Sequence, residues 1–189
     1  MVTLNKIYTR TGDQGLTRLA SGEPRAKFDL RVVAYGGVDE LNACLGVVRL
    51  STAGDLAFDA ILARIQNELF DLGADLATPQ RAADQALRIV DAQVARLEME
   101  IDQLNADLAP LTSFVLPGGT AAAAYLHMAR TVCRRAERDA VALSAIPGEE
   151  VGGAALRYFN RLSDLLFVAS RWVNDHGAGD VLWRPGATR

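Results

Sequence analysis

The sequence predicts an all-α protein, a bundle of five helices. Three observations carry that prediction. Apolar residues recur at steps of three and four over most of the chain, no stretch alternates apolar and polar residues between hairpin turns, and the connectors are short. Residues 1–27 have no such period and form an irregular arm ending in GEPRAK. The first helix spans about Asp29 to Thr52, with Val38, Leu41, Leu45 and Val48 on one face. Asp55 is placed to cap a second helix carrying Ile61, Ile65, Leu69, Leu72 and Leu76, until Thr78-Pro79 stops it. The third is the clearest: Val90, Val94, Leu97, Ile101, Leu104 and Leu108 alternate steps of four and three, and Pro110 ends it. Thr120 caps a fourth helix running to about Ala145, where PGEE breaks it. A fifth occupies about residues 150–175, and the tail GAGDVLWRPGATR reads as polar and extended. With no repeat, low-complexity run or long linker, residues 1–189 read as one domain: arm 1–27, bundle 28–176, tail 177–189.

Composition narrows the class. Half of the 189 residues are hydrophobic and the net charge is −3, so a general attraction to nucleic acid or an anionic membrane is not expected and a basic site must be local. MVTLNK leads into polar turn residues rather than an apolar leader, and the most apolar stretch, LLFVASRWV, is short and holds Arg171. Cys44 and Cys133 lie among apolar neighbours and read as small buried hydrophobes in a reducing compartment. A cytoplasmic protein is expected.

The arm is the first unusual feature. Lys6 to Arg18 reads KIYTRTGDQGLTR, rich in glycine and threonine and flanked by cations. One reading is turn chemistry, since glycine reaches positive φ and Asp13 can bond its own backbone. The other is an anion cradle, in which successive backbone N–H groups converge on a phosphate and hydroxyls and cations complete its shell.

A second feature lies beside the apolar seams of helices four and five. Next to Leu126, Ala129, Cys133, Ala136, Ala140 and Leu143 runs the row Arg130, Arg134, Glu137, Val141, flanked by Arg135 and Arg138. Helix five carries Arg157, Asn160, Asp164 and Arg171 beside Phe159, Leu162, Leu166 and Val173. A charged row can simply be a solvated face. Arginine beside small alanines also suits a desolvated ion pair or a bidentate phosphate contact.

Other chemistries find no support in the pattern. His127 and His176 are isolated, so neither a di-iron carboxylate site nor zinc spacing exists, and GxxxxGK[ST] is absent. No serine or cysteine has an evident histidine partner in sequence. The connector FVLPGG either closes the bundle end with Phe114, Val115 and Leu116 or presents an apolar pad to a large flat ligand.

Five blocks, KIYTRTGDQGLT, AYGGVDELN, FVLPGGT, ARTVCRRAER and NRLSDLLF, come in one order across nearly the whole chain. Together they resemble the propanediol-utilisation (PduO) type of ATP:corrinoid adenosyltransferase. The resemblance implies a five-helix bundle assembled as a homotrimer with sites between subunits. It implies transfer of the 5′-deoxyadenosyl group of ATP to the cobalt of cob(I)alamin, with release of triphosphate. It places Thr9, Arg10, Thr11, Gly12, Thr17, Arg18 and Lys27 on ATP, with Arg134, Arg135, Glu137, Arg138 and Asn160. Asp39 and Arg130 resemble a carboxylate–arginine pair bridging subunits at the site, and Phe114 matches the aromatic residue beneath the corrin ring. Asp39, Phe114, Arg130 and Arg134 are thus the expected catalytic set. Gln14 stands where the family often has lysine, which weakens the positive field of the loop but leaves its glycines intact.

The implied chemistry fits these residue types. Triphosphate leaves as a unit, so backbone N–H groups, Lys27 and the arginines would stabilise charge growing on its oxygens, with Mg²⁺ bridging them and no residue assigned as its ligand. The nucleophile is cobalt, and cob(II)alamin held four-coordinate above Phe114 would be easier to reduce. An electron donor and an adenosylcobalamin-dependent acceptor enzyme are the implied partners. A non-catalytic corrinoid carrier gated by ATP and a purely structural helical oligomer are the alternatives.

Overall fold

The computed structural model describes residues 7–79 and 86–189; Lys6 and the first residues of the arm lie outside them. Five helices make the body: α1 (Leu30–Arg49), α2 (Leu56–Ala77), α3 (Asp91–Asn105), α4 (Ala121–Ser144) and α5 (Gly153–Trp172). Three starts follow from side-chain caps. Asp29 accepts from the Arg31 N–H, Asp55 from Phe58 and Thr120 from Ala123, each satisfying a donor that the first helical turn leaves free. At α3 the partner is Gln93, whose Oε1 accepts from the Val90 N–H at 3.0 Å.

Helix α1 packs on α2 and α4, and α5 packs on α3 and α4. Leu41, Leu45, Leu62, Leu69, Leu97, Leu126, Phe159 and Leu166 form the shared core. The inward face of α4 is small, with Ala129, Cys133, Ala136 and Ala140 fully buried. This lets α1 come close. A Cβ at Gly37 would stand 3.1 Å from the Ala136 Cβ, which explains a glycine inside a helix where it otherwise costs stability.

Four expectations need correction. The arm is not wholly irregular: β1 (Leu16–Arg18) and β2 (Pro24–Ala26) pair antiparallel, Thr17 opposite Arg25, around a turn in which Gly22 has φ +85°. Strands of three residues are too short to show alternation. Helix α3 ends at Asn105, well before Pro110, and the Ala109 carbonyl accepts from Arg171 Nη2 at 2.9 Å. Helix α5 is shorter than 150–175. Asp175, His176 and Gly177 all take positive φ, so His176 lies beyond its end. The tail is not simply extended either. It turns at residues 174–180 and then forms an antiparallel bridge, Val115 to Leu182.

Arg171, expected on the polar stripe of α5, is buried. Its Nε donates to Asp180 Oδ2 at 2.7 Å, and Asp180 Oδ1 accepts from Asn174 Nδ2 at 3.2 Å. Asn174 Oδ1 in turn accepts from the Thr120 N–H at 3.1 Å. Gly119 sits at φ +98°, where a Cβ would overlap the Asn174 amide. This node binds the tail to the loop before α4.

Candidate active site

The arm forms a hollow of about 540 Å³ lined by Thr9, Thr11, Gly12, Leu16, Thr17, Arg18, Pro24 and Lys27. Its shape follows from local backbone chemistry. Arg10 and Gly15 adopt φ +61° and +79°, so the chain turns sharply on either side of Gly12. A Cβ on Gly12 would stand 3.2 Å from Lys27 Cε and Nζ; its absence lets the ammonium lie against the turn. The Lys27 N–H closes the loop on the Gly15 carbonyl at 2.8 Å. The Thr9 and Thr11 hydroxyls are 2.9 Å apart, Arg18 reaches the Gly22 carbonyl, and the Arg10 guanidinium lies over the Tyr8 ring. Hydroxyls, backbone donors and cations share one concavity with no carboxylate in its lining.

A second polar surface lies on α4 and α5. Asn160 Nδ2 donates to Glu137 Oε1 at 3.2 Å, and Arg134 Nη1 stands 3.9 Å from Glu137 Oε2 and 3.5 Å from Ser163 Oγ. Arg138 bonds back to the Arg134 carbonyl, while Arg135 turns away to pair with Glu40 of α1. Arg134, Glu137 and Asn160 are therefore brought together and Arg135 is not. No hydrogen bond or ion pair runs from Thr9, Arg10, Thr11, Gly12, Thr17, Arg18 or Lys27 to this cluster within the chain.

No ion pair joins Asp39 and Arg130 within the chain either. Asp39 is exposed on α1, beside a hollow of about 320 Å³ between α1 and α2 lined by Tyr35, Leu69, Phe70 and Gly73. Arg130 is half-buried on α4, with Nε out of water and without a partner. Burial and then the neighbouring Arg134 make its charged form less favourable than usual. One turn earlier, burial and the charge of Arg130 hold the buried His127 below its ordinary pKa.

Phe114 stands outward, 77% exposed, its ring centroid 6.1 Å from that of Trp183. Backbone pairing holds the two: the Trp183 N–H donates to the Phe114 carbonyl at 2.7 Å and Leu116 to Val181 at 2.8 Å. Ser113 Oγ donates to the Trp183 carbonyl at 2.8 Å. Beside this pair opens a hollow of about 910 Å³ lined by Leu116, Val181, Leu182, Trp183 and Arg184.

Residues 7–173 match the cobalamin adenosyltransferase family. This chain belongs to that family. It is 49% identical to the corrinoid adenosyltransferase of Mycobacterium tuberculosis over 190 residues, all of this chain and 97% of that one. It is 44% identical to the corrinoid adenosyltransferase of Bacillus subtilis, over 96% of this chain and 94% of that one. Among solved structures, a phenylalanine-to-alanine variant of the PduO-type ATP:corrinoid adenosyltransferase from Lactobacillus reuteri, complexed with cobalamin and ATP, superposes with a TM-score of 0.88. The two are 38% identical over 95% of this chain and 99% of that one. An arginine-to-lysine variant of the same enzyme, complexed with ATP, gives 0.85 at 40% identity, over 94% of this chain and 100% of that one. For an adenosyltransferase of this family, sequence reasoning overlooked Trp183 and the Arg171–Asn174–Asp180 node. The apolar run Val181-Leu182-Trp183 inside a polar tail was the available signal.

Proposed function

We propose that this chain transfers the 5′-deoxyadenosyl group of ATP to the cobalt of a reduced corrinoid and releases triphosphate. The carrying observation is the arm hollow, which gathers the hydroxyls, Gly12 and Lys27 in a chain related end to end to corrinoid adenosyltransferases. Cobalt(I) supplies the electron pair that forms the Co–C5′ bond. The C5′–O bond breaks, and its electrons leave with the triphosphate oxygen. The protein aligns the two centres and stabilises charge on the leaving group.

In this reading Thr9, Arg10, Thr11, Gly12, Thr17, Arg18 and Lys27 hold ATP from the arm, and Arg134, Arg135, Glu137, Arg138 and Asn160 hold it from the helices. Because no hydrogen bond or ion pair joins the two sets within one chain, the site is assigned to the junction of neighbouring subunits in a homotrimer, where Asp39 of one pairs with Arg130 of the next. Phe114, backed by Trp183, is the floor on which the corrin rests. An apolar ring there excludes water and the lower axial base, leaving cobalt(II) four-coordinate and easier to reduce by an external electron donor. The donor set fits Mg²⁺ only as a cation shared with phosphates. Among the described residues no three His, Cys, Asp or Glu side chains converge, and Glu137 and Asp164 are carboxylates near Arg134. Mg²⁺ so held would draw negative charge from the phosphate oxygens. The arm 1–27, bundle 28–176 and tail 177–189 act as one catalytic domain. No helix among the described residues is long and apolar enough to cross a membrane, and we place the protein in the cytoplasm with an adenosylcobalamin-dependent enzyme as acceptor.

The test is an anaerobic assay with ATP, Mg²⁺ and reduced cobalamin. The expected outcome is the spectral change to adenosylcobalamin with stoichiometric triphosphate. Binding of both ligands without triphosphate would instead identify a carrier.

A further inference from the structure

The hairpin that forms the arm hollow is fastened to the helices at few points. Leu19 is buried, and the Ala20 N–H reaches the Ala77 carbonyl at 3.3 Å. The strong link is Arg25 on β2. Its Nη1 donates to Asp29 Oδ2 at 3.0 Å and its Nη2 to Glu149 Oε1 at 2.6 Å, with Glu23 Oε1 also 3.0 Å from Nη2. Glu149 lies in the turn between α4 and α5, and its other oxygen accepts from Arg31 Nε at 2.7 Å. Arg31 is 1% exposed and also donates to the Leu76 carbonyl, so it belongs to the rigid body. Glu149 thus takes one guanidinium from the bundle and one from the hairpin. Arg25 pairs in register with Thr17, which lines the hollow, and its neighbour Pro24 pairs with Arg18. A shift of Arg25 carries that wall with it.

We propose that Arg25 is a positioning residue for ATP, fixing the nucleotide-binding hairpin to the helical body through Glu149. This rests on the reading of the arm as the ATP site. Arg25 does not line the hollow, so its effect runs through the placement of Thr17, Arg18 and Lys27. Its planar fork reaches Asp29 and Glu149 at once, which a lysine ammonium does not do as well. Removing Arg25 leaves the Arg31–Glu149 pair in place, so the bundle keeps its buried charges matched.

The experiment is steady-state kinetics and calorimetric ATP binding on Arg25→Ala, Arg25→Lys and Lys27→Ala. Arg25→Ala should raise the KM and Kd for ATP about tenfold, equivalent to ~1.4 kcal/mol. Its kcat at saturating ATP, its KM for corrinoid and its helical circular dichroism should stay close to wild type, and Arg25→Lys should recover part of the loss. A normal ATP affinity in Arg25→Ala beside a weakened Lys27→Ala would overturn the positioning role alone. Parallel losses in both KM values and in Tm would overturn it too, by showing a general stability effect. Normal ATP binding in both alanine variants would remove the ATP reading of the arm, and the proposal with it.

Discussion

Phe114 contributes little to the fold that carries it. It is largely exposed and, among the described residues, Trp183 is its one aromatic contact, so Phe114→Ala should change stability by no more than about 0.5 kcal/mol. Its proposed work is on the corrin. Activity starting from cob(II)alamin with a mild reductant should fall steeply, whereas pre-reduced cob(I)alamin should be used with a smaller loss. Magnetic circular dichroism of cob(II)alamin with ATP bound decides the matter: a four-coordinate signal of wild-type intensity in the variant would leave Phe114 a loop residue only. Lys27 and Arg134 are proposed to serve the other substrate. A hydrogen bond to a charged group is worth roughly 1.5–3 kcal/mol, so Lys27→Ala and Arg134→Ala should each lower kcat/KM for ATP by about tenfold to a hundredfold. Unchanged kinetics in both would mean the phosphates lie elsewhere. The turns of the arm were legible because glycine turn chemistry is local, as the positive φ of Gly15 and Gly22 reflects. Trp183 was not, since its partner Ser113 lies 70 residues away and the apolar run in the tail does not say what it pairs with.

The same division holds for elements. The starts of α2 and α4 could be read from their caps, and the inward faces of all five helices from apolar spacing, both of which act within a turn or two. The hairpin was missed because strands of three residues are too short to show alternation, and the Glu149 clamp that fastens it to the bundle is distant in sequence. That clamp has a pH signature. Burial alone would raise the Glu149 carboxyl, but hydrogen bonds from Arg31 and Arg25 outweigh it and hold the group below the ordinary glutamate value. A depressed carboxyl stabilises the fold fully above its unfolded pKa, and that contribution is lost as pH falls through the folded value. Glu149→Gln should therefore melt lower than wild type at neutral pH, and the gap in Tm should close on acidification below the usual glutamate range. A gap that stays constant down to low pH would exclude the charge as its source. A second link joins α2, α3 and α5: Arg64 bridges Glu68 and Glu100, and the buried Tyr158 hydroxyl donates to Glu68 Oε2 at 2.7 Å. Tyr158→Phe should cost about 1–3 kcal/mol in chemical denaturation while leaving the KM for ATP unchanged. Equal stability would show that water replaces the hydroxyl without loss.

At the scale of the whole molecule, one subunit leaves three features unfinished. Among the described residues the buried Arg130 Nε has no acceptor, Asp39 is exposed beside a hollow with no cation in its lining, and Phe70 stands 71% exposed in that same hollow. A buried guanidinium N–H without an acceptor is costly, and the proposed assembly accounts for all three features if a neighbouring copy brings its α4 to the α1–α2 face. The proposed trimer places the arm hollow and the Arg134–Glu137–Asn160 cluster around one substrate at each of three junctions. Asp39→Asn then removes the carboxylate from a contact that is desolvated only on assembly. Truncating one member of a buried charge pair costs about 2–5 kcal/mol, against 0–1 kcal/mol for an exposed pair. The variant should lose activity at low protein concentration, regain part of it as concentration rises, and show a smaller mass by light scattering under dilution. Combined with Arg130→Met, the second loss should be much smaller than the first, because the partner is already gone. A wild-type protein that is monomeric at micromolar concentration yet fully active would refute the shared site, since one chain would then have to bring the two polar surfaces together alone.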